Sequence, residues 1–133
     1  EGIISELKKL NKKYKRFKLY KTIEHLDFIF LLKNCNFFIG NSSSGIIESP
    51  YLKIPFINLG NRQKGRLFSS NVIHTKFDKN FIFKAIKKNQ NKNFKNKLKK
   101  TKFLYGNGKS YLQAYNITKK KIGKLSSFKT FYE

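Results

Sequence analysis

Residues 40–50 read GNSSSGIIESP, three hydroxyl side chains in a row between two glycines, followed by a lone acid. A second unusual stretch, GNRQKGR at residues 60–66, holds two of the chain's three arginines, Arg62 and Arg66. Both compositions suit a phosphate. Small residues let an anion reach the backbone, hydroxyls add donors, and free N–H groups at a helix start favour negative charge. Lysine is the default cation of this chain, so a retained arginine points to a need for the planar fork that grips phosphate or carboxylate. The plainer readings stand beside these: Ser as an N-cap, for which one serine suffices, and chance arginines on a surface loop. A capping box from Ser44 requires Glu or Gln at position 47, which is Ile47. Glu48 comes one residue too late for that role. It is either a surface acid that complements the helix dipole or an acceptor for ligand hydroxyls such as those of a ribose. Neither GxxxxGK[ST] nor GxGxxG is present.

The elements that would carry these loops follow from periodicity. Apolar residues at Ile3, Ile4, Leu7 and Leu10 have helical spacing and predict a helix over Ile3–Tyr14. Arg16–Tyr20 (RFKLY) alternates and reads as a short strand. Glu24–Cys35 reads as a buried helix, with a strand for part of it left open by periodicity alone. Asn36–Gly40 (NFFIG) and Pro55–Gly60 (PFINLG) are apolar strands. Between them Gly45–Leu52 reads as a helix disturbed or ended near Pro50. Asn61–Arg66 is a basic loop and Asn71–Thr75 (NVIHT) a strand. Beyond Asp78 the pattern turns helical, with Phe81, Ile82, Ala85 and Ile86 on one face. The Lys- and Asn-rich run Lys87–Lys102 reads as a solvated helical segment, Tyr105–Gly108 as a turn, and Tyr111–Leu125 as a last helix with Tyr111, Tyr115, Ile122 and Leu125 on one side. Short apolar strands alternating with helices predict an α/β fold, a parallel sheet with helices on both faces. Ligands of such sheets bind at the carboxyl ends of strands, where both unusual loops lie. One domain over residues 1–125 and a tail over 126–133 are expected.

Composition bounds the function. At 133 residues with 39% apolar and 16% aromatic residues, the chain can bury a core and is not a disordered segment. The longest apolar stretch, Leu26–Leu32, contains Asp27 and is far shorter than the roughly 20 residues that span a bilayer. No signal peptide is visible, one cysteine excludes an internal disulfide framework, and a cytoplasmic location is the default expectation. The chain starts at Glu1 rather than Met, which suggests a fragment or excised domain. The formal net charge of +23 suits nucleic acid. Biased base composition is the favoured explanation, because Lys, Asn, Phe, Ile and Tyr dominate and arginine is scarce. No Cys/His cluster suggests a metal and no cofactor is expected. His25 reads as a surface or capping residue, His74 as packed or edge-exposed, and Cys35 as a small buried hydrophobe.

With both loops in view, FFIGNSSSGIIESPYLKIPFINLGNRQKGR at residues 37–66 resembles the carboxyl-terminal half of the UDP-N-acetylglucosamine 2-epimerase family. Weaker likeness extends through LDFIFLLKN upstream and YGNGKS, Tyr105–Ser110, downstream. The resemblance implies one half of a GT-B-type fold, two Rossmann-like domains with a nucleotide sugar between them. It implies that Ser42 and Ser43, with Ser44 and Gly45, hold the UDP diphosphate, that Glu48 accepts from the ribose hydroxyls, that Arg62 approaches the phosphates and that Phe28 packs on the uridine. Phe28 reads at least as well as a core aromatic. Non-hydrolysing members carry a TERPE-like segment where this chain has NRQKGR. The match is to the hydrolysing, sialic-acid-pathway type, which eliminates UDP and adds water to release N-acetylmannosamine.

The resemblance further implies that the proton-transfer carboxylates lie mainly in the amino-terminal domain and that an essential histidine lies upstream of this chain, so no catalytic residue is assigned here. The piece alone is expected to bind UDP weakly and to catalyse nothing. Its expected partners are a UDP-sugar, the missing amino-terminal domain and, in full-length form, further copies of itself; no membrane, and nucleic acid disfavoured. An apolar face left by the absent domain is expected to be exposed. A donor-binding domain of a UDP-sugar glycosyltransferase and a basic nucleic-acid-binding module are the alternatives.

Overall fold

The computed structural model describes residues 2–124. Along them run α1 (Gly2–Lys13), α2 (His25–Asn34), β1 (Phe38–Gly40), α3 (Ser44–Tyr51), β2 (Phe56–Leu59), β3 (Val72–Thr75), α4 (Lys79–Gln90), α5 (Lys92–Lys99) and α6 (Ser110–Lys121). The strands form a parallel sheet in the order β1-β2-β3, Phe38 facing Phe56 and Phe56 facing Val72. This is the α/β, Rossmann-like arrangement that the alternation of strands and helices predicts.

The side-chain period of two in a strand splits the apolar residues between two faces. Ile57 and Ile73 point to one, where Ala85 of α4 and Phe94 of α5 complete a buried cluster flanked by Phe37, Leu59 and Ile86. Phe56 points to the other. Its ring lies 5.2 Å from that of Phe38, which meets Phe28 of α2 edge-on at 6.0 Å. α3 closes this face, with Ile46 fully buried. The region between α3 and β2 is held by polar groups. Ser49 Oγ donates to the Gly45 carbonyl at 2.7 Å, while Asn71 Nδ2 donates to Ser49 Oγ and to the Ile54 carbonyl, both at 2.8 Å.

Local chemistry sets the helix boundaries. The Asp78 carboxylate accepts from Asn80 N–H at 2.9 Å and Phe81 N–H at 3.1 Å, capping α4. Asp78→Ala is expected to lower stability by about 1 kcal/mol, read as a shift of the urea midpoint with an unchanged slope. The lysine-rich run 87–102 is not one helix. Asn91 adopts extended backbone and its side chain accepts from Asn93 N–H at 2.8 Å, ending α4 and starting α5. An Asn side chain that bonds its own backbone competes with continuous helix.

Two other expectations need correction. Arg16–Tyr20 is not a strand. A strand requires a neighbour to satisfy its backbone, and this segment instead folds back on α1: Phe17 N–H donates to the Tyr14 carbonyl at 2.9 Å and Leu19 N–H to Asn11 Oδ1 at 3.2 Å. The last helix ends at Lys121, with Leu125 outside the described residues, and its proposed apolar side does not pack: Tyr111 and Ile122 are 70% and 71% exposed. α1 likewise buries no residue. The buried helix expected over Glu24–Cys35 is only partly so: α2 buries Leu32 and sets Phe28 on Phe38, while Leu26, Phe30 and Leu31 are exposed. No described helix is long and apolar enough to cross a membrane.

Candidate functional site

The chain leaves β1 at Gly40 and enters α3 at Ser44, so the hydroxyl cluster forms the strand-to-helix turn. Ser43 is the N-cap residue, yet its backbone is already helical (φ −62°, ψ −26°) and its side chain makes no cap bond. The turn is organised by other groups. Ser42 Oγ accepts from Ser44 N–H at 3.3 Å, the Ser42 carbonyl from Gly45 N–H at 3.3 Å, and the Ser43 carbonyl from Ile46 and Ile47 N–H at 2.8 and 2.9 Å. Plain side-chain capping by Ser43 therefore does not account for the run of serines.

Gly45 is dictated by packing. A Cβ at this position would lie 2.2 Å from two atoms of the Phe56 ring. The absence of a side chain lets the first turn of α3 sit directly on the sheet. Glu48 stands one turn later, part-exposed, beside an apolar hollow lined by Ile29, Ile47, Tyr51, Leu52 and Phe103. Its Oε2 is buried without a hydrogen-bond partner. A polar oxygen buried without a partner is costly, and a donor brought to it would relieve the cost.

The second loop begins at Gly60, whose φ of +68° favours glycine and where a Cβ would lie 2.5 Å from the Phe77 ring. Arg62 is exposed, and the only ion pair among the described residues joins Lys9 to Glu6, so Arg62 and Arg66 are engaged by no acid there. Gln63 is the residue that sequence reasoning passed over. It is 3% exposed within an otherwise exposed run, and its Nε2 donates to the Asn41 carbonyl at 2.7 Å. That bond ties the arginine loop to the serine loop. Ser49 and Asn71 were equally silent in the sequence; polar residues beside apolar strands give no sign that they will be buried together.

The remaining candidates are dispersed. Phe28 sits in α2, half-buried against Phe38, in the position of a core aromatic. His74 faces Asn58 across β2 and β3, with Nδ1 3.2 Å from Asn58 Nδ2 and the ring edge-on to Phe68 at 4.3 Å. Partial burial lowers its pKa below the ordinary imidazole value, and Nδ1 is the acceptor of this contact because an amide nitrogen only donates. Both residues line a cavity of about 500 Å³ at the carboxyl ends of β2 and β3, bordered by Lys64 and Lys76. His25 is exposed at the start of α2, after the N-cap Glu24. Cys35 is half-buried, and loss of solvent raises its thiol pKa against the lowering effect of backbone hydrogen bonds. No group of three His, Cys, Asp or Glu among the described residues is placed to hold a metal.

The two loops joined by Gln63 lie within the segment shared with known proteins. Residues 2–119 match the model of the family described as UDP-N-acetylglucosamine 2-epimerase. The polysialic acid biosynthesis protein P7 of Escherichia coli is 36% identical over 123 residues, 92% of this chain and 31% of that protein. The GDP/UDP-N,N'-diacetylbacillosamine 2-epimerase (hydrolyzing) of Campylobacter jejuni is 44% identical over 78 residues, 59% of this chain and 20% of its own length. A UDP-N-acetylglucosamine 2-epimerase of Neisseria meningitidis is 38% identical over 86 residues, 65% of this chain and 22% of that protein. The chain thus spans between a fifth and a third of these relatives. A family match that runs from α1 into α6, through both loops and the sheet that carries them, means that the chain belongs to the UDP-N-acetylglucosamine 2-epimerase family.

Proposed function

We propose that residues 1–125 form the carboxyl-terminal, UDP-binding domain of a hydrolysing UDP-N-acetylglucosamine 2-epimerase, with residues 126–133 a tail. The observation that carries this reading is the buried, unpartnered Glu48 oxygen one turn beyond a serine-lined helix start. A nucleotide fits both ends of that feature. Its diphosphate carries the charge that the Ser42–Gly45 turn and Arg62 would meet, and its ribose hydroxyls are donors for Glu48. Phe28 is the proposed uridine contact from α2. The NRQKGR segment and the hydrolysing name of the Campylobacter relative support the hydrolytic outcome, release of UDP followed by addition of water to give N-acetylmannosamine. The proton-transfer groups belong to the amino-terminal domain, which this reading makes an obligatory partner, with assembly of full-length copies and a cytoplasmic setting. The isolated chain is then a weak binder without turnover.

Titration of UDP into the chain by calorimetry, near physiological ionic strength, tests the reading. Saturable binding is expected, and Arg62→Ala and Glu48→Ala should each weaken it by about tenfold or more, since hydrogen bonds to charged groups carry roughly 1.5–3 kcal/mol. Glu48→Ala should do so without loss of thermal stability, because it removes a buried oxygen that has no partner. No binding by the parent chain, even with the amino-terminal domain supplied, would sink the reading. A basic polyanion-binding module draws support from one observation, the absence of any acid between Asp78 and Glu133. It predicts oligonucleotide binding with a steep salt slope and unaffected by either substitution.

A further inference from the structure

We infer that Gln63 is a positioning residue of the nucleotide site, locking the serine loop to the arginine loop so that both present donors to one diphosphate. The inference rests on the UDP-binding reading above and goes beyond it by naming what holds the two halves of the phosphate site in register.

Gln63 is out of place by burial. Asn61, Arg62, Lys64, Gly65 and Arg66 are all exposed, whereas Gln63 is 3% exposed. A polar amide taken out of water without compensation is costly, so its burial calls for a partner. That partner is the Asn41 carbonyl, 2.7 Å away and 22 residues earlier in the chain. The choice of acceptor matters. The Asn41 carbonyl shares a planar trans peptide with the Ser42 N–H, and the two point in opposite directions. Pinning the carbonyl therefore sets the direction of the N–H at the head of the serine run. Ser42 passes that orientation on, through its Oγ to Ser44 N–H and through its carbonyl to Gly45 N–H. At the other end, the Gln63 backbone is joined directly to Arg62, and its carbonyl accepts from Arg66 N–H at 3.3 Å. One buried side chain thus references two arginines and three serines to each other, although they come from different strand ends. Gln63 Oε1 is buried and unpartnered, so the stabilising contact is made through the donor end alone.

This gives a sharp substitution test. Gln63→Glu keeps length and shape but replaces the donor with an acceptor facing the Asn41 carbonyl. Gln63→Met keeps the length and removes the polar end. Each variant of the 133-residue chain is titrated with UDP and with uridine, and backbone amide exchange is followed across the chain. Both variants should lose about tenfold in UDP affinity, the scale of one buried hydrogen bond's positioning effect, with uridine affinity unchanged. Amides of Ser42–Ile46 should exchange faster while those of β3 do not. Retained UDP affinity in both variants overturns the inference and leaves the nucleotide reading standing. Equal losses for UDP and uridine, with accelerated exchange throughout, also overturn it, because that is a general loss of stability. A parent chain that binds neither ligand, even with the amino-terminal domain supplied, overturns the nucleotide reading and this inference with it.

Discussion

Gly45→Ala is expected to destabilise the chain by about 3 kcal/mol, at the upper end of the usual cost of overpacking a core. Two effects compete. Alanine in a helix is intrinsically better than glycine by about 1 kcal/mol, and no positive φ at Gly45 opposes the change. Against this, the new methyl would lie 2.2 Å from Phe56 Cε2 and Cζ and 2.3 Å from Cε1. The ring cannot swing aside freely, because it is fully buried and stacked against Phe38, which in turn meets Phe28. Relief requires α3 to lift from the sheet, which would also carry the serine turn away from the arginine loop. Packing therefore decides the sign. Urea unfolding of Gly45→Ala, Phe56→Leu and the double variant measures it. The double variant should be more stable than the sum of the single losses by about 1 kcal/mol or more, since the clash exists only when both groups are large. An unchanged midpoint for Gly45→Ala would show that the ring yields, and would return this glycine to a purely ligand-facing role.

Asn71→Ala should cost a similar amount, about 3 kcal/mol, by a different route. Asn71 is fully buried and donates at 2.8 Å to both Ser49 Oγ and the Ile54 carbonyl. Its own carbonyl accepts from Phe56 N–H at 2.9 Å, so the residue couples the end of α3 to the start of β2. Truncation leaves the Ile54 carbonyl without that donor in a site closed to solvent and opens a small void besides. Ser49→Ala makes the useful comparison. It removes one acceptor while Asn71 keeps its bond to Ile54, and its expected loss is about 1 kcal/mol. Comparable losses for the two variants would mean that the Ser49 link, rather than the Ile54 carbonyl, is what Asn71 maintains.

Both predictions concern residues whose importance is invisible in one dimension. Gly45 is legible as a small residue beside serines, and its resemblance-based role is to admit a phosphate. The Phe56 ring that forbids a side chain there comes from the next strand. Asn71 looks like a turn residue ahead of a strand. Gln63 lies inside a recognisable motif, yet nothing in that motif separates it from its exposed neighbours.

The sequence by itself determined the alternation of strands and helices, the placement of two unusual loops at strand ends and the family. These depend on local periodicity and on residue types at short spacing, which a linear chain displays directly. Tertiary structure decided the rest. It left Arg16–Tyr20 unpaired, because alternation marks a candidate strand but only a neighbouring strand can satisfy its backbone. It broke the lysine-rich segment at Asn91, where a side-chain bond competes with helix on nearly equal terms. It left Tyr111 and Tyr115 of α6, and Ile122 just beyond it, bare, since an apolar stripe states a capacity for burial and not the surface that fulfils it. It joined the serine and arginine loops through one buried amide, because bonds between residues 22 apart are set by the packing of the strands between them.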